Sequence, residues 1–283
     1  MATTLQTYIT EVRRLLHDAA GNFWTDSELT DYINDARNRV AADTSCSRSL
    51  ASITLNVQNV TGTGDGTTGV ITGVSPAPDY SWIGSAIAGT GITGIVSSNP
   101  IIQQVNPTAG TITVSGVATA GAVSFTYYQE AYPYSSVTTN SDNPIIDVLN
   151  ITAVWGNSRY VLQYKDWSIY NAMMRSYVQF QQRPAVWSKQ GQNIIWIGPI
   201  VDQQYVTEWD CVVEPKTLVS LTDAETIAYP FTQPVKYWAA HLAKFRDGSF
   251  PEASAFENKY MESVRYCLKA SMIRRIPNVY TAT

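Results

Sequence analysis

Leu5-Gln-Thr-Tyr-Ile-Thr-Glu-Val-Arg-Arg-Leu-Leu16, then Gly21-Asn-Phe-Trp24, then Thr25-Asp-Ser-Glu-Leu-Thr-Asp-Tyr-Ile-Asn-Asp-Ala-Arg37 set the character of the chain's start. In the first run Leu5, Tyr8, Ile9, Val12, Leu15 and Leu16 recur three and four apart. That spacing lines one stripe of a helix and predicts one over 3–20. Thr3 with Gln6 fits a capping box, and Gly21 is placed to stop the helix. Thr25 with Glu28 repeats the box. Leu29, Tyr32, Ile33, Ala36 and Val40 then form the stripe of a second helix. So short a link makes the pair an antiparallel hairpin.

At Ser49 the composition changes. Residues 49–158 contain no Lys or Arg, although the chain has 19, and 12 of its 17 glycines fall between Gly62 and Gly121. Ile53–Val57, Thr111–Val114 and Val123–Tyr127 alternate and are rich in β-branched side chains. Alternation between Gly and Pro clusters predicts a small antiparallel β-sandwich or barrel inserted into a helical chain. After Asn140–Pro144 come predicted strands at Ile151–Trp155, Tyr160–Tyr164, Asn193–Ile197 and Gln204–Val213, with a helix at Asp166–Phe180 closed by Pro184.

The end returns to helices. Val235, Trp238, Ala239, Leu242 and Phe245 form one stripe, stopped by Gly248; Pro251 suits a first turn, and Phe256, Tyr260, Val264, Cys267 and Leu268 form the next. Beyond Glu262 the charges are all basic: Arg265, Lys269, Arg274 and Arg275, followed by an extended tail from Pro277. The fold class read from this order is α+β: 1–48 an N-terminal helical hairpin, 49–140 the β insertion, 141–221 mixed strands and helix, 222–283 C-terminal helices and tail.

Charged residues are 15% of the chain, against about 25% in ordinary domains. Such a surface, in a chain with 8 Trp and 17 Tyr, points to burial against partners, because aromatic side chains concentrate at interface cores. A net charge of −4 offers no basic field for nucleic acid. Cys46, Cys211 and Cys267 are odd in number and widely spaced, which predicts reduced core thiols rather than disulfides or a zinc site. The start does not read as a signal peptide, and no apolar run reaches 18 residues, so no membrane association is expected.

The search for chemistry finds no constellation. His17 and His241 sit in amphipathic helices with no spaced ligands or nucleophile. Gly89-Thr-Gly91-Ile-Thr-Gly94 matches a dinucleotide fingerprint literally, but Ile95–Pro100 reads as strand and turn where that motif needs a helix. Gly62–Gly66 lacks the Lys of a phosphate loop and reads as a β-turn. Asp142, Asp147, Asp202, Asp210 and Asp223 are scattered, and only their spatial pairing could make a glycosidase. The expectation is a non-enzymatic chain with no cofactor and no metal.

A series of segments carries a resemblance. Leu5–Tyr8, Val12–Leu16, Trp24–Leu29 and Tyr32–Arg37, then Arg183–Ser188, Ile197–Pro199, Tyr205–Trp209, Pro215–Leu218, Ile227–Pro230 and Ala239–Ala243, in this order, resemble the head-to-tail adaptor (connector) proteins of short-tailed bacteriophages. They cover roughly 3–48 and 145–277. Trp82–Ile92 and Thr111–Thr119 look like small β modules of phage tail proteins, with Ser85-Ala-Ile87 where the usual module has V-x-G.

The resemblance implies a virion protein made in the host cytoplasm, built into the neck as a ring of about twelve copies. Its implied partners are further copies of itself, the portal protein, tail nozzle or fibre proteins, and genomic double-stranded DNA in passage. Such a ring would carry a formal charge of roughly −48, which lets DNA slide. Within this reading Arg265, Lys269, Arg274, Arg275, Ile276, Pro277 and Tyr280 are candidates for the portal contact. Trp24, Tyr32, Trp187, Trp209 and Trp238 are candidates for packing between subunits. The β insertion is expected to project outward or towards the tail and to contact tail nozzle or fibre proteins. A carbohydrate-binding tail or fibre protein is the alternative. A cell-wall lysin would need a catalytic constellation that the sequence does not offer.

Overall fold

The computed structural model describes residues 3–55, 57–85, 87–93, 100–139, 143–174, 182–191 and 193–271. The fold is mixed α+β with helices at both ends. The helices are α1 (Leu5–Leu15), α2 (Asp26–Thr44), α3 (Trp167–Met173), α4 (Val235–Arg246) and α5 (Phe250–Ser271). The chain divides into two compact units: Met1–Ser49 with Ser141–Asp147 and Val212–Thr283, and Leu50–Asn140 with Val148–Cys211.

In the first unit the stripe of α1 is buried at Leu5, Tyr8, Ile9 and Val12, against Leu29, Ile33, Ala36 and Val40 of α2. α4 contributes Val235, Ala239, Ala240 and Ala243, and α5 contributes Tyr260 and Val264. The small side chains of α4 let its neighbours approach closely. Thr25 and Glu28 form the reciprocal cap of α2.

Three local readings are corrected. The cap of α1 is Thr4 with Thr7, not Thr3 with Gln6. α1 ends at Leu15, before Gly21, because His17 adopts a left-handed φ of 57° and Asp18 turns inward. The Asp18 carboxylate accepts the N–H groups of Asn22, Phe23 and Trp24, and that shapes the link to α2. Phe245 and Leu268 do not belong to the buried stripes: both are exposed, and Ala240 and Ala243 take the inner positions of α4.

The second unit holds a curled six-stranded antiparallel sheet in the order 87–90, 121–128, 57–64, 70–75, 111–114, 102–106. Val60, Ile71, Trp82, Ile112, Phe125 and Tyr127 fill its core, with Trp82 stacked on Tyr127 at 4.4 Å. Gly62 and Gly64 lie inside a strand, so the expected β-turn at 62–66 is corrected; the chain bends at 66–69, after Asp65. There the Asp65 carboxylate accepts the N–H groups of Thr67 and Thr68 and the Thr68 hydroxyl, which hold its pKa far below the usual range. Gly89 lies in a strand and Gly91 follows at φ +98°, while Gly94 falls outside the described residues.

A four-stranded sheet runs 131–133, 194–198, 186–190, 163–164. α3 packs on it through Tyr170 and Trp167, which meet the Trp196 ring. The strand Val186–Gln190 was not among those expected. A five-stranded sheet runs 138–139, 48–55, 205–213, 145–155, 158–161. The strand expected over Tyr160–Tyr164 is broken at buried Leu162, whose N–H donates to Ile151, and its two halves join different sheets. Of the helix expected at Asp166–Phe180, Trp167–Met173 is helical and 175–181 lie outside the described residues.

Candidate interaction surfaces

A charged network lies at the heart of the helical unit. The Arg37 guanidinium donates to both Glu225 oxygens at 2.9 and 2.8 Å, to Asn34 and to the Lys216 carbonyl. The Tyr8 hydroxyl donates to Glu225 at 2.8 Å. Burial pushes the Glu225 carboxyl up, but Arg37 outweighs it and holds the group below its ordinary 4.5. Burial, with Glu225 beside it, pushes the Tyr8 phenol well up. Each donor has its acceptor, so the network pins α1 and α2 to the 216–227 segment and leaves no reactive group idle.

The aromatic candidates divide. Trp209, at 0% exposure, donates its indole N–H to Thr207 and belongs to the core, as does buried Trp187. Neither can reach a neighbouring subunit, which corrects both assignments. Trp24 and Tyr32 are half-buried, edge to face at 6.1 Å, and the Tyr32 hydroxyl accepts from Arg246. Trp238 is half-buried between His241, Tyr260 and the Arg39 guanidinium. Trp82 and Trp196 are buried and Trp167 is half-buried, which leaves Trp155 as the one exposed indole of the eight, at 51%.

Trp155 forms a surface that was not anticipated. Arg183 lies over its ring at 5.1 Å and over that of Tyr160 at 4.8 Å. Val161, Tyr164, Ile169, Met173 and Val206 are also exposed in this unit. Trp, Tyr and Arg are the side chains that dominate binding energy at protein interfaces.

Arg265 and Lys269 are exposed on α5, together with Met261, Tyr266 and Leu268. Arg274, Arg275, Ile276, Pro277 and Tyr280 lie outside the described residues.

The remaining candidates have local roles. His241 meets the Ala253 carbonyl at 2.9 Å through Nδ1 and stacks on Trp238. Asp202 accepts from the Tyr205 hydroxyl, and Asp223 from the Val219 and Ser220 N–H groups. Asp142 lies outside the described residues. A cleft of about 600 Å³ opens between α1 and the 19–26 link. Its Arg13 is committed to Asp18, Asp26 and the Trp24 carbonyl. Burial pushes up the Cys46 and Cys267 thiols, and Cys267 donates to Pro230. Among the described residues no group of three or more His, Cys, Asp or Glu is placed to hold a metal ion, and no helix is long and apolar enough to cross a membrane. No protein-family model matches the chain, and no curated protein sequence matches it.

Proposed function

We propose that the chain is a non-enzymatic structural subunit of a short-tailed phage particle, an adaptor that forms a ring of about twelve copies between portal and tail. One observation carries the reading: each of the two units groups apolar and cationic side chains on an exposed surface of its own. One is the Trp155–Arg183–Tyr160 stack; the other is the end of α5. A closed ring with further neighbours above and below needs more than one adhesive face per subunit. The ordered series of adaptor-like segments supports the same reading.

The portal contact is assigned to the end of the chain, from Arg265 through Arg274, Arg275, Ile276, Pro277 and Tyr280. The test is truncation after Met272. Mixed with portal rings of its own particle, the full chain is expected to add a collar of density at one end in negative stain. The truncated chain should keep its unfolding midpoint and add none. Unchanged collars from the truncated chain would refute the assignment.

A further inference from the structure

The described surface of the helical unit carries two like-charge pairs of opposite sign. On α2, Asp31 and Asp35 are exposed and four residues apart; on α5, Arg265 and Lys269 are exposed and four residues apart. Like charges at this spacing lie about 5–6 Å apart and repel, so each pair weakens its own helix. Some charges of the unit are matched, Arg39 with Asp43, Lys244 with Glu252 and Lys236 with Glu11. Arg14, Asp247, Lys259 and Glu262 are exposed without an ion pair among the described residues, but form no such like-charge couple. Among the described residues, none of Asp31, Asp35, Arg265 and Lys269 has an ion pair. Arg39, one turn beyond Asp35, is turned to Asp43 and Trp238. Glu262, three residues before Arg265, is exposed and forms no ion pair with it.

Each pair is flanked by exposed apolar side chains. Met261 and Leu268 stand four residues before and three after Arg265. Beside the acidic pair, the Asn34 side chain donates to the Leu218 carbonyl and accepts its N–H. That sets Val219, 79% exposed, next to α2, while the Leu221 carbonyl accepts from the Gln6 N–H of α1. Both pairs have the same pitch, because both are i, i+4 on a helix.

We infer that these faces bind each other between copies: Arg265 and Lys269 of one chain seat against Asp31 and Asp35 of the next, with Met261 and Leu268 against Val219. The faces differ, so the contact is head to tail and repeats around a ring. The inference rests on the ring reading for closure, while the contact itself needs only two copies. It divides the portal assignment: the last turns of α5 serve the neighbouring copy, and residues 272–283 serve the portal.

Charge exchange tests it in the full chain, by sedimentation over a range of concentrations in low salt. Asp31→Lys with Asp35→Lys, or Arg265→Glu with Lys269→Glu, should each weaken self-association by about tenfold or more. Each should leave the unfolding transition cooperative, since all four side chains are exposed. An equal mixture of the two double variants should associate again, because every basic face then finds an acidic one; so should the fourfold variant. Association untouched by either reversal, failure of the mixture to recover, or a wild-type chain that stays monomeric throughout would overturn the contact. Collars that form on portals despite both reversals would overturn it while leaving the adaptor reading intact. No collar from the wild-type chain would instead overturn the adaptor reading.

Discussion

Arg37 is fully buried, and its carboxylate partner among the described residues, Glu225, lies 188 positions away. Breaking such a pair strands a charge in the interior. Arg37→Met should therefore cost about 3–5 kcal/mol in urea unfolding at neutral pH. Arg37→Met with Glu225→Leu should cost clearly less than the two single changes added together; simple additivity would mean that the pair is not coupled. The pH dependence follows in sign. The folded Glu225 carboxyl is held below its ordinary 4.5, so its stabilisation is complete above that value. It is lost as pH falls through the lower folded value. Melting temperatures of wild type and Glu225→Gln should accordingly converge in acid. At Thr25 the effect is local: Thr25→Ala should cost about 1 kcal/mol by the same urea measurement, through loss of the cap at Glu28. The two sites also differ in how legible they were. Thr25 and Glu28 are three residues apart, so the sequence displays their partnership. Arg37 reads as one more polar residue of a helix, because nothing in its neighbourhood announces Glu225.

Elements were legible where a single pattern governs them. The stripes of α1 and α2 and the alternation of the β insertion depend only on which face is wet. Trp209 shows a signal that was present and misread. In Tyr205–Val213 the charges Glu208 and Asp210 share one face, so alternation puts Tyr205, Thr207, Trp209 and Cys211 on the other, which is the buried one. Counting aromatics as interface candidates overlooked that parity. Trp187 gave no such warning, because Val186, Trp187 and Ser188 are all buried and the strand is covered on both faces. Gly62 and Gly64 read as a turn for a related reason: in the curled sheet they, like Gly89, mark close approach. A Cβ on Gly89 would stand 2.5 Å from the Phe125 Cα. Gly89→Ala should thus destabilise this unit by about 1–3 kcal/mol, seen as a lower urea midpoint. An unchanged midpoint would mean that the strand pair can spread at no cost.

For the whole molecule, scarce charge and abundant rings had suggested a subunit covered by its neighbours. Four of the eight indoles are in fact buried within the chain itself, and the adhesive surface we propose is narrower: the Trp155 stack and the paired faces of α2 and α5. The shortage of positive charge makes a prediction of its own. With a net charge of −4 per chain, an assembled ring should leave the gel mobility of duplex DNA unchanged at physiological salt. Retention of the duplex would point to a channel lined by Lys and Arg. The adaptor reading itself is tested most directly by imaging the 31.2 kDa chain mixed with portal rings and counting the copies added. The prediction is one collar of about twelve copies on a single end of the portal, coaxial with its channel. Portal rings left bare, with the chain free in solution as a monomer, would contradict it.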